Sequence, residues 1–342
     1  MTNELETFTA DFLPAIEAEM RAVLRAGNPT TADPFYGMIH YHMGWADEVL
    51  QAAGGNRGKR IRPLLCLLAC AAAGGDWRLA VPAAAAIEIV HNFSLVHDDI
   101  EDNSPTRRGR PTVWTLWGQP QAINTGDAMF ALAHLALERL ADGDVPPVTV
   151  VRALRRFDET CVALTRGQYA DMSFETQSEV TVDKYVAMIT GKTAVLVALC
   201  AELGALVAGA DDGRVAHFAD FGLNLGLAFQ AQDDLLGIWG DEELIGKSVS
   251  TDITTRKKTL PVLYALERSA DLRALYAGPG DGAAFVGQVV PLLEAAGARD
   301  YTAERAAHYT NEALSALALA RPEGPAATAL LQLTDMLLRR NY

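Results

Sequence analysis

The chain has 342 residues, half of them hydrophobic, which is enough apolar sequence for one large domain or two ordinary ones. Its formal net charge of -14 argues against a nucleic-acid-binding protein, because such proteins normally carry a basic face. The cysteines lie in apolar, helix-like stretches without a CxxC pair, so we expect reduced core residues of a cytoplasmic protein. They are Cys66, Cys70, Cys161 and Cys200.

Apolar residues recur at helical spacing over long windows, and alternating strand patterns are scarce, so we predict an all-α protein. Helices are expected over residues 9–25, 34–53, 62–73, 81–103, 120–140, 148–173, 181–188, 193–207, 211–238, 260–277, 282–297, 302–320 and 326–340. Basic or polar loops are expected over residues 105–118 and 240–258. No stretch has the composition of an inter-domain linker. We therefore expect a single domain over residues 1–342, in which residues 1–53 are N-terminal helices.

The sequence predicts neither a secretory signal nor a membrane span. The amino terminus, MTNELETFTADFLP, is acidic and polar. The most apolar run, residues 193–210, is interrupted by Glu202 and by two glycines, which favours a buried core helix.

An acidic cluster ends the helix predicted over residues 81–103. Asp98 and Asp102 are four residues apart, so both carboxylates face the same side of a helix. Carboxylates this close repel each other unless a cation lies between them, and Mg²⁺ with water and phosphate ligands suits such a site. The alternative is a solvated helix end on which acids and bases pair.

Basic residues follow this cluster and also precede it. Arg107, Arg108 and Arg110 come directly after the acids and can bind phosphate oxygens in bidentate fashion. Lys59 and Arg62, in NRGKRIRP, can share one face at the start of a helix. These residues form either a second anion site or an ordinary solvated turn.

A second polar element lies in FQAQDDLLGIWGD, where Gln230, Asp233 and Asp234 share one helix face. Unpaired carboxylates on a buried helix are costly, and a further metal ion would neutralise them. Cations are available nearby in sequence, although a lysine such as Lys192 can also be an ordinary snorkelling side chain. The candidate cations are Lys192, which precedes the Thr193 hydroxyl, and Lys247, Arg256, Lys257 and Lys258.

Six short motifs occur in the order typical of one family. They are GKRIRP (58–63), HDDIED (97–102), RRGRPT (107–112), GQYAD (167–171), GKTA (191–194) and FQAQDD (229–234). In these motifs the chain resembles the trans-isoprenyl diphosphate synthases, the polyprenyl synthetase family. The resemblance implies a single-domain isoprenoid-synthase-type helical bundle around a deep central cavity. It also implies a homodimeric, Mg²⁺-dependent prenyltransferase that joins isopentenyl diphosphate to an allylic diphosphate.

The resemblance also implies roles for individual residues. Asp98 and Asp102 would bind two Mg²⁺ ions on the allylic diphosphate, and Asp233 would bind a third. Thr193 and Gln230 would stabilise the allylic cation. The allylic diphosphate would contact Arg107, Lys192 and Lys257, with Lys247 nearby. The isopentenyl diphosphate would be bound by Lys59, Arg62, His91 and Arg108.

Product length and catalytic competence depend on three further positions. Bulky Phe93 and small Ser94, five and four residues before Asp98, are typical of geranylgeranyl diphosphate synthases, with farnesyl diphosphate synthases as the close alternative. Gly237 replaces the third aspartate that the family usually carries in its second acidic motif, and Asp241, one helical turn beyond, is the candidate to compensate. This departure leaves open a non-catalytic or weakened partner subunit. A terpene cyclase on the same scaffold is a further alternative, against which GKRIRP and RKKTLP argue.

Overall fold

The computed structural model describes residues 3–24, 33–56, 58–177, 179–240, 251–280 and 282–339. Its α-helices are α1 (Glu4–Val23), α2 (Pro34–His42), α3 (Ile61–Ala72), α4 (Val81–Glu101), α5 (Val113–Trp117), α6 (Gln119–Glu138), α7 (Pro147–Thr176), α8 (Val182–Ile189), α9 (Val195–Val207), α10 (Asp212–Trp239), α11 (Thr251–Thr254), α12 (Leu260–Arg268), α13 (Ala270–Ala277), α14 (Gly282–Ala295), α15 (Ala298–Ala320) and α16 (Gly324–Arg339). Strands are limited to a hairpin of β1 (Thr106–Arg107) and β2 (Arg110–Pro111) in the described residues. The all-α prediction is confirmed.

Two compact units divide the chain. The first contains Met1–Arg156, Cys200–Val215 and Pro322–Leu330, and the second contains Phe157–Leu199, Ala216–Arg321 and Leu331–Tyr342. Each unit is built from three separate chain segments, so neither corresponds to one half of the sequence. The predictions of a single domain and of a central cavity stay predictions.

Helix α4 is the central helix of the first unit and packs against α1, α3 and α6. Its alanines from Ala83 to Ala86 are fully buried, because their small side chains let neighbouring helices approach closely. Gly204 of α9 makes a similar contact, since a Cβ there would lie 2.2 Å from the carbonyl oxygen of Cys66 in α3. Close packing therefore fixes the position of α4, whose last turn carries the first acidic motif.

The second unit has two apolar clusters. One joins α8, α10 and α12 through Tyr185, Leu227 and Leu260, and the other surrounds Phe285 of α14. Gly226 lets α10 approach the start of α9, because a Cβ there would lie 2.7 Å from the Cα of Ala194. These contacts fix the α10 face that carries the second acidic motif.

Several predicted boundaries were wrong. Helix α2 ends at His42 rather than at residue 53, and Gly44 then turns the chain with a φ of 77°. The helix predicted over residues 260–277 is two helices, because Ser269 interrupts it and caps α13 by accepting the N–H of Leu272. The loop predicted over residues 105–118 contains the hairpin and α5.

Two apolar segments, Trp77–Glu101 and Val182–Val207, are long and apolar enough to cross a membrane by length and composition alone. Their most apolar windows are 61% and 50% buried within the protein, as in core helices. Glu202 itself is buried and pairs with Arg156 at 2.6 Å. The cysteines Cys66, Cys70, Cys161 and Cys200 are buried free thiols, as predicted.

Candidate active site

The first acidic motif occupies the last turn of α4. Asp98 is half-buried and Asp102 is exposed, and the backbone N–H of Asp102 donates to the carbonyl oxygen of Asp98 at 2.8 Å. This helical geometry puts the two carboxylates on one face, as the sequence predicted. Both are therefore accessible to a ligand from solvent.

Asp99, between them in sequence, has a different environment. It is 2% exposed and accepts a hydrogen bond from Nε of Arg107 at 2.7 Å. Burial raises the pKa of Asp99, and the positive charge of Arg107 limits that rise. Asp99 thus anchors the arginine hairpin to α4. Asp99 had no role predicted from the sequence, because its position next to Asp98 does not indicate an ion pair with Arg107.

The hairpin after α4 turns through Arg108 and Gly109, with φ angles of 54° and 77°. Positive φ at both central residues suits a two-residue hairpin turn. The turn brings the Arg108 side chain against Gly58, where a Cβ would lie 3.2 Å from Nη2. The GKRIRP and RRGRPT motifs therefore meet within the first unit, as the proposed anion site requires.

A group of basic side chains surrounds two histidines at this point, and we call it the arginine pocket. Its members are His42, Arg60, Arg62, His91, Arg107 and Arg108. Nη1 of Arg62 lies 3.3 Å from Nε2 of His91. Burial and the charges of Arg62, Arg108 and Arg107 lower the pKa of His91 well below its usual value. His91 is thus neutral at neutral pH.

The start of α3 supplies the remaining cations. Arg60 is buried and pairs with Glu88 at 2.6 Å, whereas Lys59 before it is exposed. The N-cap residue Arg60 makes no side-chain hydrogen bond to the N-terminus of α3, and the positive end of the helix dipole adds to the same region. Lys59, Arg62, His91 and Arg108, which the sequence predicted to bind one diphosphate, all belong to this region of the first unit.

In the second unit, a chain of hydrogen bonds links three helices. The Thr193 hydroxyl donates to Oε1 of Gln230 at 3.2 Å, and Nε2 of Gln230 donates to Oδ1 of Asp234 at 3.0 Å. Oδ2 of Asp234 accepts from the Tyr185 hydroxyl at 2.6 Å and from the backbone N–H of Leu260 at 3.0 Å. Asp234 is therefore fixed by protein groups, and Asp233 is the half-buried acid of the pair.

Lys192 lies in a π-helical turn, Thr190–Ala194, that joins α8 to α9. Its Nζ donates to Oδ2 of Asp171 at 2.5 Å, in the GQYAD motif. Gly167 permits this approach, because a Cβ there would lie 2.2 Å from the backbone nitrogen of Lys192. Single π-helical turns frequently mark functional sites. The GQYAD and GKTA motifs are thus in direct contact. Asp171, which forms the ion pair, had no role predicted from the sequence.

The three consecutive cations before α12 have different roles. Arg256 donates to the carbonyl oxygens of residues 276, 278 and 280, and Lys258 donates to those of Phe174 and Gln177 at the end of α7. Both therefore stabilise the chain, and their supply of cations to the site stays a prediction. Lys257 is exposed. The fourth predicted cation, Lys247, lies outside the described residues, as does Asp241.

At Gly237, the space for a side chain is limited by Asp252 of α11. A Cβ at Gly237 would lie 2.9 Å from Oδ2 of Asp252. A carboxylate thus lies beside the backbone position at which the family usually carries its third aspartate. The sequence offered no signal for this contact, because residue 252 lies in a segment predicted to be a loop.

Phe93, the predicted determinant of product length, lies on α4 between two rings. Its centroid is 4.9 Å from that of His97 and 5.1 Å from that of Phe130 on α6. The Ser94 hydroxyl donates to the carbonyl oxygen of His91. Phe93 is therefore held in place by aromatic contacts on both sides.

A metal ion would find hard oxygen ligands at both acidic motifs. In the described part of the chain, no group of three or more His, Cys, Asp or Glu side chains could hold a metal ion by itself. Mg²⁺ is commonly bound through one or two carboxylates together with water and substrate phosphates. Accessible Asp98 and Asp102 fit that mode of binding.

The sequence profile of the polyprenyl synthetase family matches residues 43–283. The chain is 43% identical over 333 residues to a geranylgeranyl diphosphate synthase of Mycobacterium tuberculosis, covering 96% of this chain and 93% of that protein. It is 42% identical over 299 residues to a (2E,6E)-farnesyl diphosphate synthase of the same organism, covering 85% and 82%. A polyprenyl synthetase from Streptomyces coelicolor A3(2) has a similar structure, with a TM-score of 0.87, 35% identity, and coverage of 98% and 99%. The chain belongs to the polyprenyl synthetase family.

Proposed function

We propose that this protein is a short-chain trans-prenyltransferase that condenses isopentenyl diphosphate with an allylic diphosphate and releases diphosphate. The observation that carries this proposal is the arginine pocket next to Asp98 and Asp102. Arg62 and Arg108 have buried nitrogen atoms without a hydrogen-bond partner among the described residues and need an anion, and the neighbouring acids Asp98 and Asp102 need a cation. A substrate diphosphate together with a divalent metal ion satisfies both requirements. The names of the relatives support the same reaction.

Asp98, Asp102 and Asp233 are the proposed ligands of Mg²⁺, with three ions expected. When bound, Mg²⁺ supplies electrostatic stabilisation of the diphosphate charge. Asp234 is excluded from this set, because its carboxylate oxygens already accept three hydrogen bonds from the protein. This assignment gives the two adjacent acids of α10 different roles.

The isopentenyl diphosphate is assigned to Lys59, Arg62, His91 and Arg108 of the first unit. Arginine suits this task because its planar group donates two hydrogen bonds to one phosphate. Burial of Arg108 lowers its pKa, and the other arginines add to that effect. An anion of several charges relieves this repulsion, which favours binding of the substrate.

The allylic diphosphate is assigned to Arg107, Lys192, Lys257 and Lys247. Its C–O bond breaks first, and the departing diphosphate takes the bonding electrons, so nearby cations lower the barrier. The isopentenyl double bond then attacks the allylic cation, forming the new C–C bond. The product cation loses a proton to the departed diphosphate. Thr193 and Gln230 stabilise positive charge through their oxygen atoms, which the hydrogen bond to Asp234 helps to orient.

We propose geranylgeranyl diphosphate as the main product and farnesyl diphosphate as the alternative. The size and fixed position of Phe93 support a short chain, and the named relatives include synthases of both types. Ser94 beside it leaves more space than a second aromatic residue would. Chain growth would then stop when the product reaches the Phe93 ring.

The protein is further proposed to act as a cytoplasmic homodimer without a membrane span. Large apolar side chains are exposed on α6 and at the start of α7, where a second copy could cover them. They include Ile123, Leu135, Val148 and Val151. Light scattering of the purified protein tests the dimer directly.

A non-catalytic or weakened partner subunit is the second candidate, and Gly237 is the observation that favours it. Asp252 beside Gly237 argues for activity, because it supplies a carboxylate at that point of α10. The presence of Asp98, Asp102 and Asp233 also supports catalytic activity. We therefore place the prenyltransferase first.

Product analysis tests the proposal. Purified protein is incubated with Mg²⁺, isopentenyl diphosphate and, separately, the five-, ten- and fifteen-carbon allylic diphosphates. A twenty-carbon product supports the reaction and the length, and a fifteen-carbon end point supports the reaction alone. If none of the primers is extended, the partner-subunit alternative replaces this proposal.

A matched pair of variants assigns the activity to the acidic motif. Asp102→Asn removes one proposed ligand without changing side-chain size, and we expect a loss of about a hundredfold or more in kcat. Glu101→Gln makes the corresponding change at the neighbouring exposed acid, and it should leave kcat within about twofold. Equal effects of both changes would contradict a specific role for Asp102.

A further inference from the structure

His42 is the last residue of α2 and belongs to the arginine pocket, although it is far from the pocket's arginines in sequence. It lines a small cavity of the first unit together with Asn56, Asp99, Arg107 and Arg108. The sequence offered no interpretation of the aromatic and histidine-rich segment to which it belongs. The structure therefore brings one more polar side chain to the proposed diphosphate site.

Contacts on both sides of His42 hold it against the arginine hairpin. The Tyr41 hydroxyl donates to the carbonyl oxygen of Pro111 at 2.7 Å. Arg110 lies over the Tyr41 ring, 3.9 Å from its centroid, and donates to the carbonyl oxygen of Ala46 at 2.8 Å. The end of α2 and the hairpin are thus joined by several bonds. The position of His42 relative to Arg107 and Arg108 is built into the fold.

Five nitrogen atoms of the pocket are buried without a hydrogen-bond partner among the described residues. They are Nε2 of His42, Nη1 of Arg108, Nε of Arg62, and Nε and Nη2 of Arg60. Leaving a buried polar atom unpaired is costly, so five such atoms in one pocket indicate a missing ligand. Four of the five can only donate, which defines the ligand as a hydrogen-bond acceptor.

Electrostatics keeps the imidazole neutral in the absence of that ligand. Burial and the charges of Arg108, Arg107 and Arg60 lower the pKa of His42 to about 3, and a side-chain hydrogen bond with Asn92 opposes this shift. In the tautomer with its proton on Nε2, the neutral imidazole donates one N–H from that atom and leaves Nδ1 to Asn92, and it adds no further positive charge to the pocket. His42 can therefore bind an anion without the repulsion that another arginine would introduce.

We propose that His42 binds the diphosphate of the isopentenyl substrate directly, donating an N–H to a terminal phosphate oxygen beside Arg108. This assignment rests on the proposed function, which places that diphosphate in the arginine pocket. It makes α2, and not only the motifs on α3, α4 and the hairpin, part of the substrate site. His42 is then a determinant of affinity for isopentenyl diphosphate and not for the allylic substrate.

The test measures binding of isopentenyl diphosphate to the full chain by calorimetry in EDTA, where metal-dependent binding is absent. His42→Phe keeps a ring and removes both nitrogens, and we expect about a tenfold or greater loss of affinity, as for other hydrogen bonds to charged groups. His42→Gln keeps an N–H donor and should restore most of the affinity. His40→Phe is the matched control, because His40 is buried on the same helix and packs on Trp45 at 5.6 Å.

Steady-state kinetics supplies a second readout. His42→Phe should raise KM for isopentenyl diphosphate about tenfold and leave KM for the allylic substrate unchanged. A merely structural role would change both constants and lower the unfolding temperature of both His42 variants, which would overturn the assignment. Wild-type affinity in His42→Phe, or no binding of isopentenyl diphosphate to the wild-type chain, would also overturn it.

An NMR experiment on the unsubstituted protein removes any dependence on how the variants fold. The Nε2 resonance of His42, identified by its loss in His42→Gln, should shift when isopentenyl diphosphate is added, and an unshifted resonance would count against direct contact. Failure of the proposed function gives a different pattern. In that case the wild-type chain forms no prenyl product, while His42→Phe still weakens diphosphate binding.

Discussion

The hydroxyl of Tyr185 lies 2.6 Å from Oδ2 of Asp234, and both side chains are almost completely buried. Burial and the charge of Asp234 raise the pKa of Tyr185 well above its usual value, so the hydroxyl remains a donor. Burial raises the pKa of Asp234 to about 6, against the opposing effect of its hydrogen bonds. Through Asp234, Tyr185 of α8 fixes the amide of Gln230 and the first residue of α12.

Removal of this donor should weaken both the fold and the site. We expect Tyr185→Phe to lower the free energy of unfolding by about 1–3 kcal/mol, because a buried carboxylate loses a hydrogen bond. It should also lower kcat, since Asp234 helps to orient the Gln230 amide. Urea denaturation and product formation measure the two effects. Tyr169→Phe, at an exposed tyrosine of α7, is the control and should change neither.

The lysines before α12 should separate stability from activity. Lys258 donates to two carbonyl oxygens at the end of α7, so Lys258→Met should lower the free energy of unfolding by about 1–2 kcal/mol. Lys257→Met should lower the free energy of unfolding less than Lys258→Met does and lower kcat at least about tenfold, because an exposed cation assigned to the departing diphosphate is lost. Thermal unfolding and kinetics on both variants check this. The reverse pattern would contradict the assignment.

The sequence predicted the helical architecture and the order of the motifs. It did not predict the contacts between segments that are distant in sequence. The apolar period of α4 and the position of Asp98 and Asp102 on one face depend on local geometry, which sequence spacing reports directly. The contact of Arg108 with Gly58 and the place of His42 depend on how distant segments pack. The different roles of Lys257 and Lys258 depend on which backbone carbonyl oxygens lie within hydrogen-bond distance. The spacing of residues in the sequence does not reveal those distances.

The neutral histidines of the arginine pocket should make the fold sensitive to acid. Burial and the nearby arginines put the folded pKa of His42, about 3, below its ordinary value of 6.5. The unfolded chain therefore binds a proton that the folded chain does not bind, and stability is lost as the pH falls from about 6.5 towards about 3. Each such histidine should contribute a slope of about 1.4 kcal/mol per pH unit in this window.

Urea denaturation of the wild type and of His42→Gln, at about pH 7, 6 and 5, measures this contribution. The variant should lose less stability on acidification, because His91 alone then contributes. His308→Gln, at an exposed position on α15, should retain the wild-type slope. Identical slopes for His42→Gln and the wild type would show that His42 accepts a proton in the folded state.

Restoring an acid at position 237 should cost stability in the absence of metal. In Gly237→Asp the new carboxylate would adjoin Asp252, whose Oδ2 lies 2.9 Å from the Cβ position. Repulsion between like charges should then lower the free energy of unfolding by about 1 kcal/mol or more. Added Mg²⁺ should reverse part of this loss, because paired carboxylates bind a hard divalent ion.

Gly237→Asn is the neutral control for that experiment, since it has a similar size and should show no Mg²⁺ effect. Thermal unfolding with and without Mg²⁺ compares the variants. Product formation then shows whether Gly237 weakens catalysis. A large gain of activity in Gly237→Asp would identify the wild-type chain as a weakened synthase, whereas equal or lower activity would show that Asp252 suffices.

Phe93 should determine the length of the product. Its ring fills the space between His97 of α4 and Phe130 of α6, so Phe93→Ala opens a path for at least one more five-carbon unit. We expect longer prenyl chains from this variant, with the distribution measured by chromatography after removal of the diphosphate. Phe93→Tyr keeps the ring and should retain the wild-type product. Unchanged products from Phe93→Ala would move the barrier to another residue and remove the structural reason for expecting a short chain.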